Sequence, residues 1–75
     1  MKRKIINWLK AHGTVYQEDY IEIVYYQNEH NQRVTYDIDW NVFYLVEYRP
    51  DGSILEVEQM ETDKELQTII EIFGI

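Results

Sequence analysis

The residues from which an active site could be assembled are two histidines, one serine and fourteen carboxylates, and the 75-residue chain has no cysteine. Without a thiol there is no thiolate nucleophile, no disulfide and no cysteine-bound metal. His12 falls on a helical apolar stripe and His30 in a polar turn, so no spacing joins them into a metal pair or a proton relay. Ser53 follows Gly52 without a nucleophile-elbow pattern or an evident His/acid partner. Asp37 and Asp39 alternate onto one strand face and can attract a cation or a basic side chain, but further oxygen ligands are not evident. Pro50-Asp51-Gly52-Ser53 lacks the repeated acidic positions of a calcium loop, and three separated glycines cannot cradle a phosphate. The expectation is a protein that is not an enzyme, with no catalytic residue, cofactor or metal assigned.

Charge is more informative. The net charge of −7 is unevenly distributed: Lys2, Arg3, Lys4 and Lys10 precede every acid, whereas residues 18–75 hold all fourteen acids and three bases. An acidic body of this kind is repelled by nucleic-acid phosphates and attracted to basic proteins. With 45% hydrophobic and 28% charged residues, the chain is expected to fold as one small acidic domain over 1–75. The basic start resembles the positive region of a signal peptide, but its apolar continuation from Ile5 to Leu9 is interrupted by Asn7 and followed by Lys10. No apolar run approaches a membrane span, so the expected location is cytoplasmic, without membrane contact.

The elements that must position these groups follow from periodicity. Ile5, Trp8, Leu9 and His12 recur at helical spacing and predict a first helix over Lys2–His12, stopped by Gly13. Thr14 to Asp19 reads either as a short edge strand through Val15 and Tyr16 or as a plain connection. Residues 20–27 alternate as a strand with Ile21, Ile23 and Tyr25 on one face and Tyr20, Glu22, Val24 and Tyr26 on the other. A turn at 28–31 leads to Val34, Tyr36, Ile38 and Trp40 alternating with Thr35, Asp37 and Asp39. Residues 42–49 form a third strand with large apolar groups on both faces, so its facing is left open. Pro50 and Gly52 suit a type I hairpin turn, and a return strand over 54–59 is expected to turn Leu55 and Val57 inward. Thr62 and Glu65 form a capping box for a last helix carrying Leu66, Ile69, Ile70 and Phe73, with Gly74 as its stop. The expected fold is α+β, in the order α-β-β-β-β-α. It is a two-layer sandwich with an antiparallel four-stranded sheet, optionally a short fifth edge strand, and both helices on one sheet face.

The opposite face is then the candidate binding surface. Its expected members include Tyr20, Glu22, Tyr26, Asp37, Asp39, Glu47, Glu56 and Glu58, with the carboxylates steering a basic protein and the tyrosines supplying contact area. The leading expectation is a small acidic protein-binding module, in its sharper form an inhibitor or nucleic-acid mimic directed at a nucleic-acid-binding protein. Weak direct nucleic-acid binding through Lys2, Arg3, Lys4 and Lys10 is the alternative, and a structural homodimer is the third reading.

Overall fold

The computed structural model describes all 75 residues, in the order α1 (Lys2–His12), β1 (Thr14–Glu18), β2 (Ile21–Gln27), β3 (Gln32–Asp37), β4 (Val42–Tyr48), β5 (Ile54–Met60) and α2 (Asp63–Phe73). The edge-strand alternative is the one that forms: β1 pairs with β2, completing a five-stranded antiparallel meander in the order β1-β2-β3-β4-β5. Each strand lies beside its neighbour in sequence, as short hairpin connections require.

One row of residues runs across the whole sheet. Val15 is opposite Val24, Val24 opposite Tyr36, Tyr36 opposite Phe43 and Phe43 opposite Met60. Four members of this row, from Val24 to Met60, are buried, and they meet Ile5 and Leu9 of α1 and Leu66, Ile69 and Ile70 of α2 in a single apolar cluster. Both helices therefore cover the same sheet face. A second inward row, Tyr26–Val34–Leu45–Glu58, lies alongside. Where Tyr26 begins it, the Trp8 indole meets the Tyr26 ring edge-on at 4.9 Å and Phe73 meets Tyr26 at 6.1 Å, so the two helices are joined over β2 by three aromatic rings.

These contacts reverse the facing expected for β2. Val24 and Tyr26, with Glu22, point to the helix layer, and Ile21, Ile23 and Tyr25 point away from it. Both faces of β2 carry large apolar groups, so burial was decided by the aromatic partners on α1 and α2 rather than by alternation. The facing of β5 is also reversed. Met60 is buried opposite Phe43, which places Glu58 and Glu56 on the helix side and Val57, opposite Val46, on the other. A register irregularity at β4–β5, between Glu47 and Tyr48, skips Leu55. Trp40 does not extend the inward alternation of Val34, Tyr36 and Ile38. The chain leaves β3 at Asp37, and Trp40 is 76% exposed in the β3–β4 turn.

Local geometry sets the ends of the elements. The β2–β3 turn is held by Asn28, whose Oδ1 accepts from the backbone N–H of His30 at 2.9 Å and of Gln32 at 3.0 Å. In the β4–β5 turn Gly52 N–H donates to the Arg49 carbonyl at 2.9 Å, and the Ser53 hydroxyl and backbone N–H both donate to Asp51, lowering the Asp51 pKa. Gly13 ends α1 for a reason other than conformational freedom. Its backbone is extended, and a Cβ there would lie 2.6 Å from the Tyr25 carbonyl oxygen and 2.7 Å from that of Leu9. Only a residue without a side chain lets the end of α1 approach β2 this closely.

At α2 the capping box forms as its spacing implies. Thr62 Oγ1 accepts from Glu65 N–H at 3.2 Å, while Glu65 Oε1 accepts from the backbone N–H of Thr62 at 2.9 Å and of Glu61 at 3.0 Å. The Thr62 N–H is the largest cause, with that of Glu61 next, of a Glu65 pKa below the usual glutamate range.

Two outcomes follow. Gly13→Ala should destabilise the fold by about 1–3 kcal/mol, because the added methyl meets two backbone oxygens that cannot rotate away; an unchanged chemical-denaturation midpoint would refute the tight approach. Because the Glu65 pKa is lowered on folding, its contribution is complete above the unfolded glutamate value, about 4.3, and is lost as pH falls through the lower folded value. Glu65→Gln should therefore be less stable than the parent at neutral pH, with the gap closing in acid; a gap independent of pH would remove the charge from the explanation.

Candidate functional site

With both helices on one side, the second sheet face carries only strand side chains. The register arranges them in rows: Tyr16–Ile23–Asp37–Val42, Thr14–Tyr25–Thr35–Tyr44–Gln59 and Gln27–Arg33–Val46–Val57, with Tyr48 opposite Ile54 at one end. Four of the seven tyrosines, Tyr16, Tyr25, Tyr44 and Tyr48, belong to this face. Between them lie β-branched residues, which pack well on a pleated surface. Tyr16, Ile21, Ile54 and Val57 are exposed, whereas Ile23, Tyr25, Tyr44 and Tyr48 are half-buried.

Arg33 organises the middle of the face. Its guanidinium lies 4.4 Å from the Tyr25 ring centroid and 5.2 Å from that of Tyr48, while Nε and Nη2 donate to Gln27 Oε1 at 3.1 and 2.8 Å. The two rings and the fork hold an extended cationic side chain flat against the sheet. At the β1 edge the Tyr16 hydroxyl donates to the Glu18 carboxylate, and this hydrogen bond, with a smaller desolvation effect, raises the Tyr16 pKa.

The carboxylates are distributed differently from expectation. Only Asp37 and Glu18 have strand positions on the open face. Glu22, Glu47, Glu56 and Glu58 stand on the helix side with Tyr26, where Glu47 and Glu56 are directly opposed and Glu56 and Glu58 remain exposed. Asp39 lies in the β3–β4 turn and Tyr20, 97% exposed, in the β1–β2 turn. Tyr20, Glu22, Tyr26, Asp37, Asp39, Glu47, Glu56 and Glu58 thus do not form one surface. Reversed facing in β2 and β5 exchanges the expected acidic face for a tyrosine-rich one. Trp40 is a surface residue that the alternation hides, because a tryptophan continuing a period-2 pattern reads as core; the Asp37-to-Trp40 turn, closed by Trp40 N–H donating to Asp37 Oδ1 at 3.1 Å, carries it out.

The groups with catalytic potential lie in ordinary structural settings. His12 Nδ1 is 3.1 Å from the Trp8 carbonyl oxygen and its ring stacks on the indole at 4.8 Å, whereas His30 lies 3.9 Å from Glu29 in the β2–β3 turn. The Ser53 hydroxyl is engaged by Asp51 at 2.6 Å, and no three His, Asp or Glu side chains converge in a metal-binding arrangement. The bases divide as well: Lys2, Arg3 and Lys10 line a groove against the β3–β4 end of the sheet, and Lys4 does not.

No protein-family model matches the chain, and neither curated proteins nor solved structures yield a match to it. The geometry of the open face therefore carries the functional argument.

Arg33→Lys keeps the charge but removes the planar fork that spans Tyr25, Tyr48 and Gln27. It should lower stability by about 0.5–1 kcal/mol. A denaturation curve superposable on that of the parent would show that the stacked arginine contributes no more than a flexible cation.

Proposed function

We propose that this chain is a non-catalytic protein-binding module that docks through the helix-free face of its sheet. The observation that carries this reading is the composition of that face: four tyrosines and several β-branched residues surround one flattened arginine, with only Asp37 and Glu18 as acids. Tyrosine and arginine are enriched at protein interfaces, where tyrosine offers a large contact area with few rotatable bonds, and charged groups are depleted from interface centres. An apolar centre with acids pushed to the turns and the reverse side matches that anatomy.

The partner that fits has an apolar or aromatic-accepting patch surrounded by basic residues. A net charge of −7 attracts such a surface over several ångströms and opposes the approach of a second copy of this chain, which favours a basic protein over self-association. Inhibition by occupying a basic protein's working surface remains the sharper form of this proposal. Phosphate mimicry through this face would need the carboxylates on it, whereas Glu22, Glu47, Glu56 and Glu58 stand together on the helix side and only Asp37 of the expected set lies on the open face, so the tyrosine face supports contact-driven recognition with electrostatic steering instead. The cytoplasm belongs to the same proposal as the setting of that encounter, and no helix is long and apolar enough to cross a membrane.

Affinity capture with the intact chain should retain a basic protein. Retention should be lost for the double variant Tyr25→Ala/Tyr44→Ala and kept for Glu56→Gln/Glu58→Gln, with circular dichroism confirming that both fold. Added DNA or RNA should displace the partner when it is itself a nucleic-acid-binding protein. Retention unaffected by the tyrosine variant, or lost only with the glutamate variant, would move the site to the helix side and overturn the open-face reading.

A further inference from the structure

The largest cavity of the molecule is separate from the tyrosine face. It is a groove of about 430 Å³ that runs along α1 from Lys2 to Lys10 against the β3–β4 end of the sheet, a volume within the range of small-ligand sites. Three cations, Lys2, Arg3 and Lys10, line it, and no carboxylate does. In a chain with twice as many acids as bases, this separation is notable. None of the three cations has a carboxylate within ion-pair distance, since the single such contact in the molecule joins His30 and Glu29. Basic residues in the first turn of a helix also oppose its dipole, so Lys2 and Arg3 stand where they weaken α1 on its own.

The remaining polar groups add donors to these cations. Arg3, Asn7 and Lys10 follow one another at i, i+4 and i+7, which places them on one side of α1. Across the groove, the Tyr36 hydroxyl donates to Asn41 Oδ1 at 2.8 Å. That bond occupies the acceptor end of the Asn41 amide and leaves its NH₂ end as the free donor. Ile6 and Ile38 supply an apolar wall beside these groups.

We propose that this groove binds a phosphate monoester, with the phosphoryl group held by Arg3, Lys10 and Lys2 and the organic body resting against Ile6 and Ile38. A carboxylate brings one negative charge to three uncompensated cations. A phosphate monoester brings up to two charges and three oxygens, and the arginine fork matches its geometry. Lys4, one residue from Arg3 and about 100° around the helix, lies outside the groove. The site is thus narrower than a general basic helix, and it is independent of the proposed protein interface.

The test is an NMR titration of the isotope-labelled intact chain with 5′-AMP, adenosine and a 5′-phosphorylated tetranucleotide. AMP should shift the backbone signals of Arg3, Asn7, Lys10 and Asn41, and adenosine should leave them in place. Arg3→Glu and Lys10→Glu should each weaken AMP binding by about tenfold or more, the scale of one charge-assisted contact. Lys4→Glu changes the net charge equally and should leave the affinity within about twofold, which separates a local site from overall electrostatics. Tighter binding of the tetranucleotide than of AMP would identify a nucleic-acid terminus as the source of the phosphate, and equal binding a free nucleotide. Absence of shifts, equal shifts with adenosine, or a Lys4→Glu effect as large as that of Lys10→Glu would each overturn the proposal.

Discussion

Everything else in this fold depends on one cross-strand row, Val24–Tyr36–Phe43–Met60, lying beneath two short helices. In a strand, a shift of one residue exchanges the two faces completely, so the burial of Val24 determines where Ile23 and Tyr25 must go. Two helices of eleven residues cover one side of a five-stranded sheet and have nothing left for the other. The tyrosine-rich face follows directly from seating those helices over Val24 rather than over Ile23.

That face avoids the usual fate of an uncovered apolar surface by its choice of residue. Tyrosine places a hydroxyl at the end of a large apolar ring, and threonine and arginine interrupt the aliphatic positions. Arg33 is the central instance: its aliphatic stem and stacked guanidinium fill the space between Tyr25 and Tyr48 while its charge stays accessible. Most of the acids meanwhile occupy turns, α2 and the helix side of β2, β4 and β5, leaving Glu18 and Asp37 near the strand ends of the open face, and the repulsion between Glu47 and Glu56 falls on the helix side instead of the centre of the tyrosine face.

How much of this was legible in the sequence can be judged from individual residues. The helix over Lys2–His12, the Thr62/Glu65 capping box and the turn at Gly52 are local features, each decided within a few neighbours, and the structure places them as their spacing implies. Facing is a long-range property. In β2, Ile21, Ile23 and Tyr25 compete with Val24 and Tyr26 on equal hydrophobic terms, and the choice rests on Trp8 and Phe73, which lie far away in the chain. In β5 the inward residue is Met60, one position beyond the expected end of the strand, so its register could not be read from Leu55 and Val57 alone. The groove was legible only as a basic helix; its far wall, Tyr36, Ile38 and Asn41, is supplied by the hairpin that folds back against α1.

The three-ring contact of Trp8, Tyr26 and Phe73 has a consequence for the order in which the molecule assembles. All four strand pairings join sequence neighbours, so each hairpin closes a short loop and the sheet can grow at little entropic cost. The pairing of Trp8 with Phe73 is different, because it brings together segments from opposite ends of the chain. The meander is therefore the part that can zip progressively, while the helix layer is a clasp that closes only when both ends meet over Tyr26. The joining of the two chain ends in this small protein thus belongs to its helix layer and not to its sheet.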